Sequence, residues 1–216
     1  MRASPKEKIT DLAVFGGSPA FEQPLHVGRP NIGDRAKFHA LVDDMFDRRW
    51  LTNNGPYVKE LESRIASLLD VEHAVVVCNA TVGLEIAVRA LDFAGEVILP
   101  SFTFVATAHV LDWYGIRPIF CDVDPETHTL DADKIEELIT PRTCAIMPVH
   151  VWGRACDVDH IQDIAKANHL KVLYDAAHAF GCSYQGQMIA GFGDAEVFSF
   201  HATKFFNTLE GGAITT

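Results

Sequence analysis

Short apolar, β-branched runs recur along most of this chain, separated by stretches whose apolar positions repeat at helical spacing. The runs fall at residues 74–78, 96–99, 118–121, 144–149, 171–174, 195–200 and 212–215. Amphipathic stretches at 82–91, 103–114, 131–139 and 158–168 lie between them. Strands alternating with helices of that length predict βαβ crossovers and an α/β fold with a mostly parallel sheet of seven strands. The chain before residue 74 is patterned differently. Residues 34–49 and 57–69 are predicted helices, and the turn-rich loop 50–56 joins them. No repeat, low-complexity tract or linker interrupts the pattern. Residues 1–73 are therefore assigned as an N-terminal helical segment and residues 74–216 as the α/β unit.

In an open α/β sheet, ligands bind beyond the carboxyl ends of the strands. Four segments meet there on this reading. Asn79, Ala80, Thr81 and Val82 follow the first strand and open a helix, so free amides and the Thr81 hydroxyl suit a phosphate. Phe102 and Phe104 follow the second strand and offer an aromatic face. Asp175 and His178 follow the fifth strand, and Ser199, His201 and Lys204 follow the sixth. A lysine after one strand and an aspartate at the end of another suit pyridoxal 5'-phosphate. The amine would form an imine with the cofactor aldehyde, and the carboxylate would keep the pyridine nitrogen protonated. The pair alone is a weak signal, because most lysines in that position are solvated.

Bland readings compete at each position. Asp175 is also placed to cap a following helix. His178 and Phe104 would serve equally as packing residues, and Thr81 as a helix cap. His150 and Trp152 follow a strand on the ligand side, where a substrate contact is open to both.

Composition narrows the function class. The 216 residues are 48% hydrophobic and 22% charged, as in ordinary globular proteins. A net charge of -11 argues against nucleic acid or an anionic membrane as partner, since phosphates would be repelled. Five widely spaced cysteines without a C-x-x-C pair argue against a disulfide framework or structural zinc and fit a reducing compartment. No apolar leader or 18-residue apolar run is present, so the expected location is cytoplasmic. The histidines show no metal-ligand spacing, and no metal is expected.

Taken together, the loop 50–56 (Trp-Leu-Thr-Asn-Asn-Gly-Pro) and the segments 79–84, 100–107, 175–178 and 199–204, with Glu210-Gly211-Gly212, carry a resemblance that no single motif does. The chain resembles the DegT/DnrJ/EryC1/StrS family of sugar aminotransferases. That resemblance implies a fold-type I pyridoxal phosphate-dependent transferase large domain. Within the family, residues 149–154 and the pairing of His201 with Glu210 are similar to the branch that aminates C-4 of nucleotide sugars.

The resemblance implies Lys204 and Asp175 as catalytic residues, Lys204 bonding the cofactor and moving a proton, and Asp175 pairing with the pyridinium. It implies Ala80, Thr81 and Ser199 around the cofactor phosphate, Phe104 on the ring and His178 on the side of its phenolic oxygen. The implied reaction moves an amino group, from glutamate, to a 4-keto-6-deoxy nucleotide sugar in a homodimer. Family members continue past the position of Thr216 into a small C-terminal domain, so that domain is expected to be absent and activity of these residues alone is not expected. The alternative is a truncated, non-catalytic fragment or a binding or regulatory descendant. The family's dehydratase branch is disfavoured, because it has histidine where Lys204 stands.

Overall fold

A computed structural model describes residues 6–24, 26 and 28–216. Helix α1 (Arg35–Arg48) starts where the Asp34 side chain accepts from the Lys37 amide at 3.0 Å, and it buries none of its residues. Helix α2 (Pro56–Leu69) begins on a proline, whose missing N–H costs nothing in the first turn. Its Ile65 and Leu69, one turn apart, enter the core.

The α/β pattern then unfolds in order: β1 (Ala74–Val77), α3 (Ala80–Ala90), β2 (Glu96–Pro100), α4 (Ala106–Trp113), β3 (Arg117–Cys121), β4 (Thr143–Ile146), α5 (Val158–Ala167), β5 (Lys171–Asp175), β8 (Ala195–Ser199) and β9 (Gly212–Thr215). A two-stranded hairpin, β6 (Ser183–Tyr184) and β7 (Gln187–Met188), lies between β5 and β8. The seven-stranded sheet runs β1-β9-β8-β5-β4-β2-β3. Only β9 lies antiparallel to its neighbours; the pairs from β8 to β3 are parallel.

Core residues alternate across the sheet as strand geometry requires. Val97 and Leu99 of β2 pack with Leu84, Val88, Val110 and Leu111 of α3 and α4. Ile98 faces the other way and joins Ile146, Ile161, Phe198 and the α2 pair. Each such side chain contributes about 1.5–3 kcal/mol on burial, so the sheet is held from both faces. Gly83 lets α3 sit close, since a Cβ there would lie 2.9 Å from Val197 Cγ1.

The structure departs from the predicted pattern in three places. Residues 131–139 form two 3₁₀ turns, Ala132–Lys134 and Glu136–Leu138, rather than an amphipathic helix. The apolar positions 132, 135 and 138 repeat every three residues, which suits the tighter turn. The strand predicted at 144–149 ends at Ile146, and Pro148 beyond it has no amide to donate. Val149 keeps one bridge, to Asp175. The hairpin was not predicted, because two-residue strands carry no readable period; its turn uses Gln185 and Gly186 at φ 48 and 87. Among the described residues, no helix is long and apolar enough to cross a membrane.

Candidate active site

The carboxyl ends of β1, β2, β5 and β8 open on one cavity of about 840 Å³. Ala80, Thr81, Phe104, Asp175, His178, Ser199 and Lys204, each singled out from sequence, all line it.

The wall begins at the N-terminus of α3. Asn79 caps this helix, its Oδ1 accepting from Val82 N at 2.9 Å. The cap is therefore Asn79, not Thr81. The first-turn amides have no partner within the helix, and the Thr81 hydroxyl is not spent on the cap. Gly212 of β9 passes directly beneath: a Cβ there would lie 2.9 Å from Ala80 N and 2.7 Å from Phe198 O. Ser199 is nearly buried across the cavity, its Oγ accepting from His201 N at 3.4 Å, so its own O–H remains free to donate. Two hydroxyls and a helix N-terminus together suit an oxyanion.

Asp175 is only 3% exposed. Its Oδ2 accepts from the Thr107 hydroxyl at 2.8 Å, and its Oδ1 from Ala177 N at 3.1 Å. Thr103 Oγ lies 2.7 Å from Thr107 Oγ and extends the chain. No helix follows Asp175, so the capping alternative fails, although the local Oδ1 bond closes a short turn. Burial pushes the Asp175 pKa up, while Thr107, the Ala177 amide and the charges of His178 and Lys204 pull it down. A buried carboxylate in this state is short of a cation, and a protonated ring nitrogen would supply one.

Lys204 is half-buried, and that burial lowers its pKa against the raising influence of Asp175. Its loop is pinned from below. Phe206 stacks on Phe180 at 4.8 Å and meets Phe200 edge-on at 5.0 Å. His201 Nε2 lies 3.4 Å from Glu210 Oε1, and its Nδ1 lies 2.8 Å from Thr203 Oγ. Lys204 therefore sits on an anchored turn.

Phe104 is 71% exposed, so it is not the core residue that the bland reading allowed; its ring is available to cover a flat ligand. His178 is held by a hydrogen bond from Trp152 N to its Nδ1 at 3.2 Å, and burial lowers its pKa, with Lys204 adding to the effect. Trp152 reaches the cavity wall, whereas His150 is fully buried behind it and meets no ligand there. Sequence reasoning gave no role to Thr107, Glu85 or Trp113, which lie within helices at spacings indistinguishable from ordinary helix faces. Among the described residues no His, Cys, Asp or Glu cluster is arranged to hold a metal.

Pyridoxal phosphate fits this wall. An amine of lowered pKa, a buried carboxylate lacking a cation, an uncovered aromatic ring and an oxyanion cradle face a common space.

Comparison with known proteins agrees with that chemistry. The model of the DegT/DnrJ/EryC1/StrS aminotransferase family matches residues 33–216. The dTDP-4-amino-4,6-dideoxy-D-glucose transaminase of Shigella dysenteriae is 46% identical over 193 residues, covering 89% of this chain and 53% of that protein. The structure of DesI with its TDP-sugar product is 51% identical, with a TM-score of 0.89, covering 97% of this chain and 53% of that one. NtdA of Bacillus subtilis with bound cofactor PMP is 31% identical, with a TM-score of 0.77, covering 85% and 42% respectively. The chain thus spans about half the length of the relatives it matches.

Proposed function

Because the chain belongs to the DegT/DnrJ/EryC1/StrS aminotransferase family, we propose that it serves a pyridoxal phosphate-dependent aminotransferase, moving an amino group from glutamate to a 4-keto-6-deoxy nucleotide sugar. The observation that carries this reading is the placement of Lys204 and Asp175 on one cavity beside an oxyanion cradle. The TDP-sugar product present with DesI and the amino sugar in the Shigella relative's name support the substrate class.

When bound, pyridoxal phosphate supplies an aldehyde that takes up the amino group and a ring that spreads charge from the substrate carbon. Lys204 attaches the cofactor through its amine, then moves a proton at the substrate carbon once that amine is free. Its lowered pKa leaves more of the neutral amine than an ordinary lysine has. Asp175, aimed by Thr107 and the Ala177 amide, holds the proton on the ring nitrogen. Ala80 and Thr81, at the helix end, and the Ser199 hydroxyl bind the phosphate, and Phe104 covers one ring face and excludes water. His178 donates toward the phenolic oxygen.

The working unit on this reading is a cytoplasmic homodimer. Phe205 at 84% exposure and Trp152 at 69% leave apolar surface beside the cavity for a partner subunit to cover.

The test is an absorbance and mass measurement of the chain with pyridoxal phosphate before and after borohydride. Expected is a visible band and a covalent mass increase that maps to Lys204 and is missing in Lys204→Ala. A folded chain that gains no fixed mass would overturn the assignment of the cofactor site to these residues.

A further inference from the structure

The turn that carries Trp152 is strained and tightly held. Trp152 has φ 53 and ψ 28, a left-handed conformation unfavourable for a bulky side chain. Gly153 follows at φ 80, and a Cβ there would lie 3.0 Å from Cys182 Sγ and 3.2 Å from His178 O. The turn is thus pressed against the segment that bears His178. On its outer side the indole meets Phe102 and His128 edge-on, each at 5.6 Å between ring centres. Arg154 ties the far end, donating to Glu126 O at 2.8 Å. Strain persists at such a position only where its surroundings enforce it, and here it aims one backbone N–H at His178 Nδ1.

We propose that this strained turn fixes the tautomer of His178. With Nδ1 occupied as an acceptor, the ring proton resides on Nε2, and His178 offers the cavity a permanent donor rather than an acceptor. Trp152 is a positioning residue in this arrangement, acting through its main chain. Protonation of Nδ1 would set two hydrogens against each other, so the turn also keeps the imidazole neutral. The charged groups facing the ring are Lys204, which disfavours the imidazolium, and Asp175, which favours it; burial decides for the neutral form. On the aminotransferase reading proposed above, the donor suits an oxygen bearing negative charge on the cofactor ring.

The tautomer is testable without any cofactor. In the ¹⁵N-labelled chain, a scalar coupling between the Trp152 amide nitrogen and His178 Nδ1 should appear, with Nε2 protonated, and remain unchanged between about pH 6 and 8. A protonated Nδ1, or tautomer exchange without that coupling, would overturn the proposal. Gly153→Val drives a side chain into Cys182 and should abolish the coupling and mix the tautomers; an intact coupling in that variant would remove the turn from the explanation. With pyridoxal phosphate, His178→Gln, which retains a donor, should bind within about threefold of the parent, whereas His178→Leu should lose about tenfold, as for one hydrogen bond. Coupling without borohydride fixation would sink the cofactor assignment and leave the tautomer standing.

Discussion

Behind the cavity wall lies a buried polar group whose ionisation sets a measurable pH dependence. Glu196, on β8, is fully buried, and burial pushes its pKa up to about 8, against opposing bonds from the Phe192 and Ala190 backbone. Its Oε1 accepts from Phe192 N at 2.9 Å, and its Oε2 stands 3.7 Å from His150 Nε2 without a hydrogen bond. His150 is pushed down to about 3 by burial, and its Nδ1 already accepts from Cys156 N. Tyr174, stacked on His150 at 4.7 Å, and Cys156 complete the cluster, both with pKa values raised by burial.

The folded state therefore retains a proton on Glu196 that the unfolded chain releases near its ordinary 4.5. Stability must fall as pH rises between those two values and level off above the upper one. Between about pH 6.5 and 8, Glu196 alone should remove about 1.5 kcal/mol, while His150 adds little, since its own contribution is lost on the acid side. Glu196→Gln cannot ionise. Its unfolding free energy in urea should lack that decline, whatever constant offset the new amide brings. Asp175, whose pKa is also raised, is common to both proteins and cancels in the comparison. Parallel pH profiles for parent and variant would refute the reasoning. They would mean that the fold retains no extra proton at this pair, Glu196 being ionised beside a neutral His150.

Four further changes separate the parts of the site. Phe104→Ala should leave thermal stability within about 0.5 kcal/mol, because the side chain is mostly exposed, yet weaken pyridoxal phosphate binding about tenfold in an absorbance titration. Thr107→Val removes a donor from buried Asp175 and should cost about 1–3 kcal/mol in urea unfolding, with weaker cofactor retention on gel filtration. Gly212→Ala forces a Cβ against Phe198 O and Ala80 N; calorimetry should show a loss of about 1–3 kcal/mol, and cofactor affinity should fall with it. Leu99→Ala, in the packed core of β2, should cost about 2–5 kcal/mol while leaving any remaining folded fraction able to bind cofactor.

What the sequence made legible follows from what leaves a period. The strands β1, β2, β5, β8 and β9 are short apolar runs, and each was found within a residue or two of its bounds. Helix α5 shows its face through Val158, Ile161, Ile164 and Ala165 and was equally plain. The 131–139 segment misled because Ile139, four residues after Ile135, gives a helix-like step beside the three-residue repeat of Ala132, Ile135 and Leu138. The side chains nominated from the strand ends share one cavity because a parallel sheet sends every strand's carboxyl end the same way. Contacts decided by main-chain placement were not legible. Nothing in Val151-Trp152-Gly153 announces that a backbone amide will meet His178, and nothing in Thr107 announces that its hydroxyl will reach Asp175, 68 residues away.

The strand end at β5 shows why such contacts matter to the chemistry. Tyr174 and Asp175 are adjacent and, by strand alternation, face opposite sides of the sheet. Tyr174 enters the closed cluster with His150 and Glu196, where three side-chain atoms have no partner among the described residues. Asp175 faces the cavity, and both of its oxygens are engaged. His150 N also donates to Asp175 O at 3.0 Å, so the buried cluster is joined to the backbone that carries the carboxylate. A protonation change at Glu196 or His150 that shifts this backbone would move Asp175 against the cavity. The pH profile of Glu196→Gln therefore bears on cofactor binding as well as on stability. If the two are joined, cofactor affinity should fall on the alkaline side in the parent and stay level in the variant.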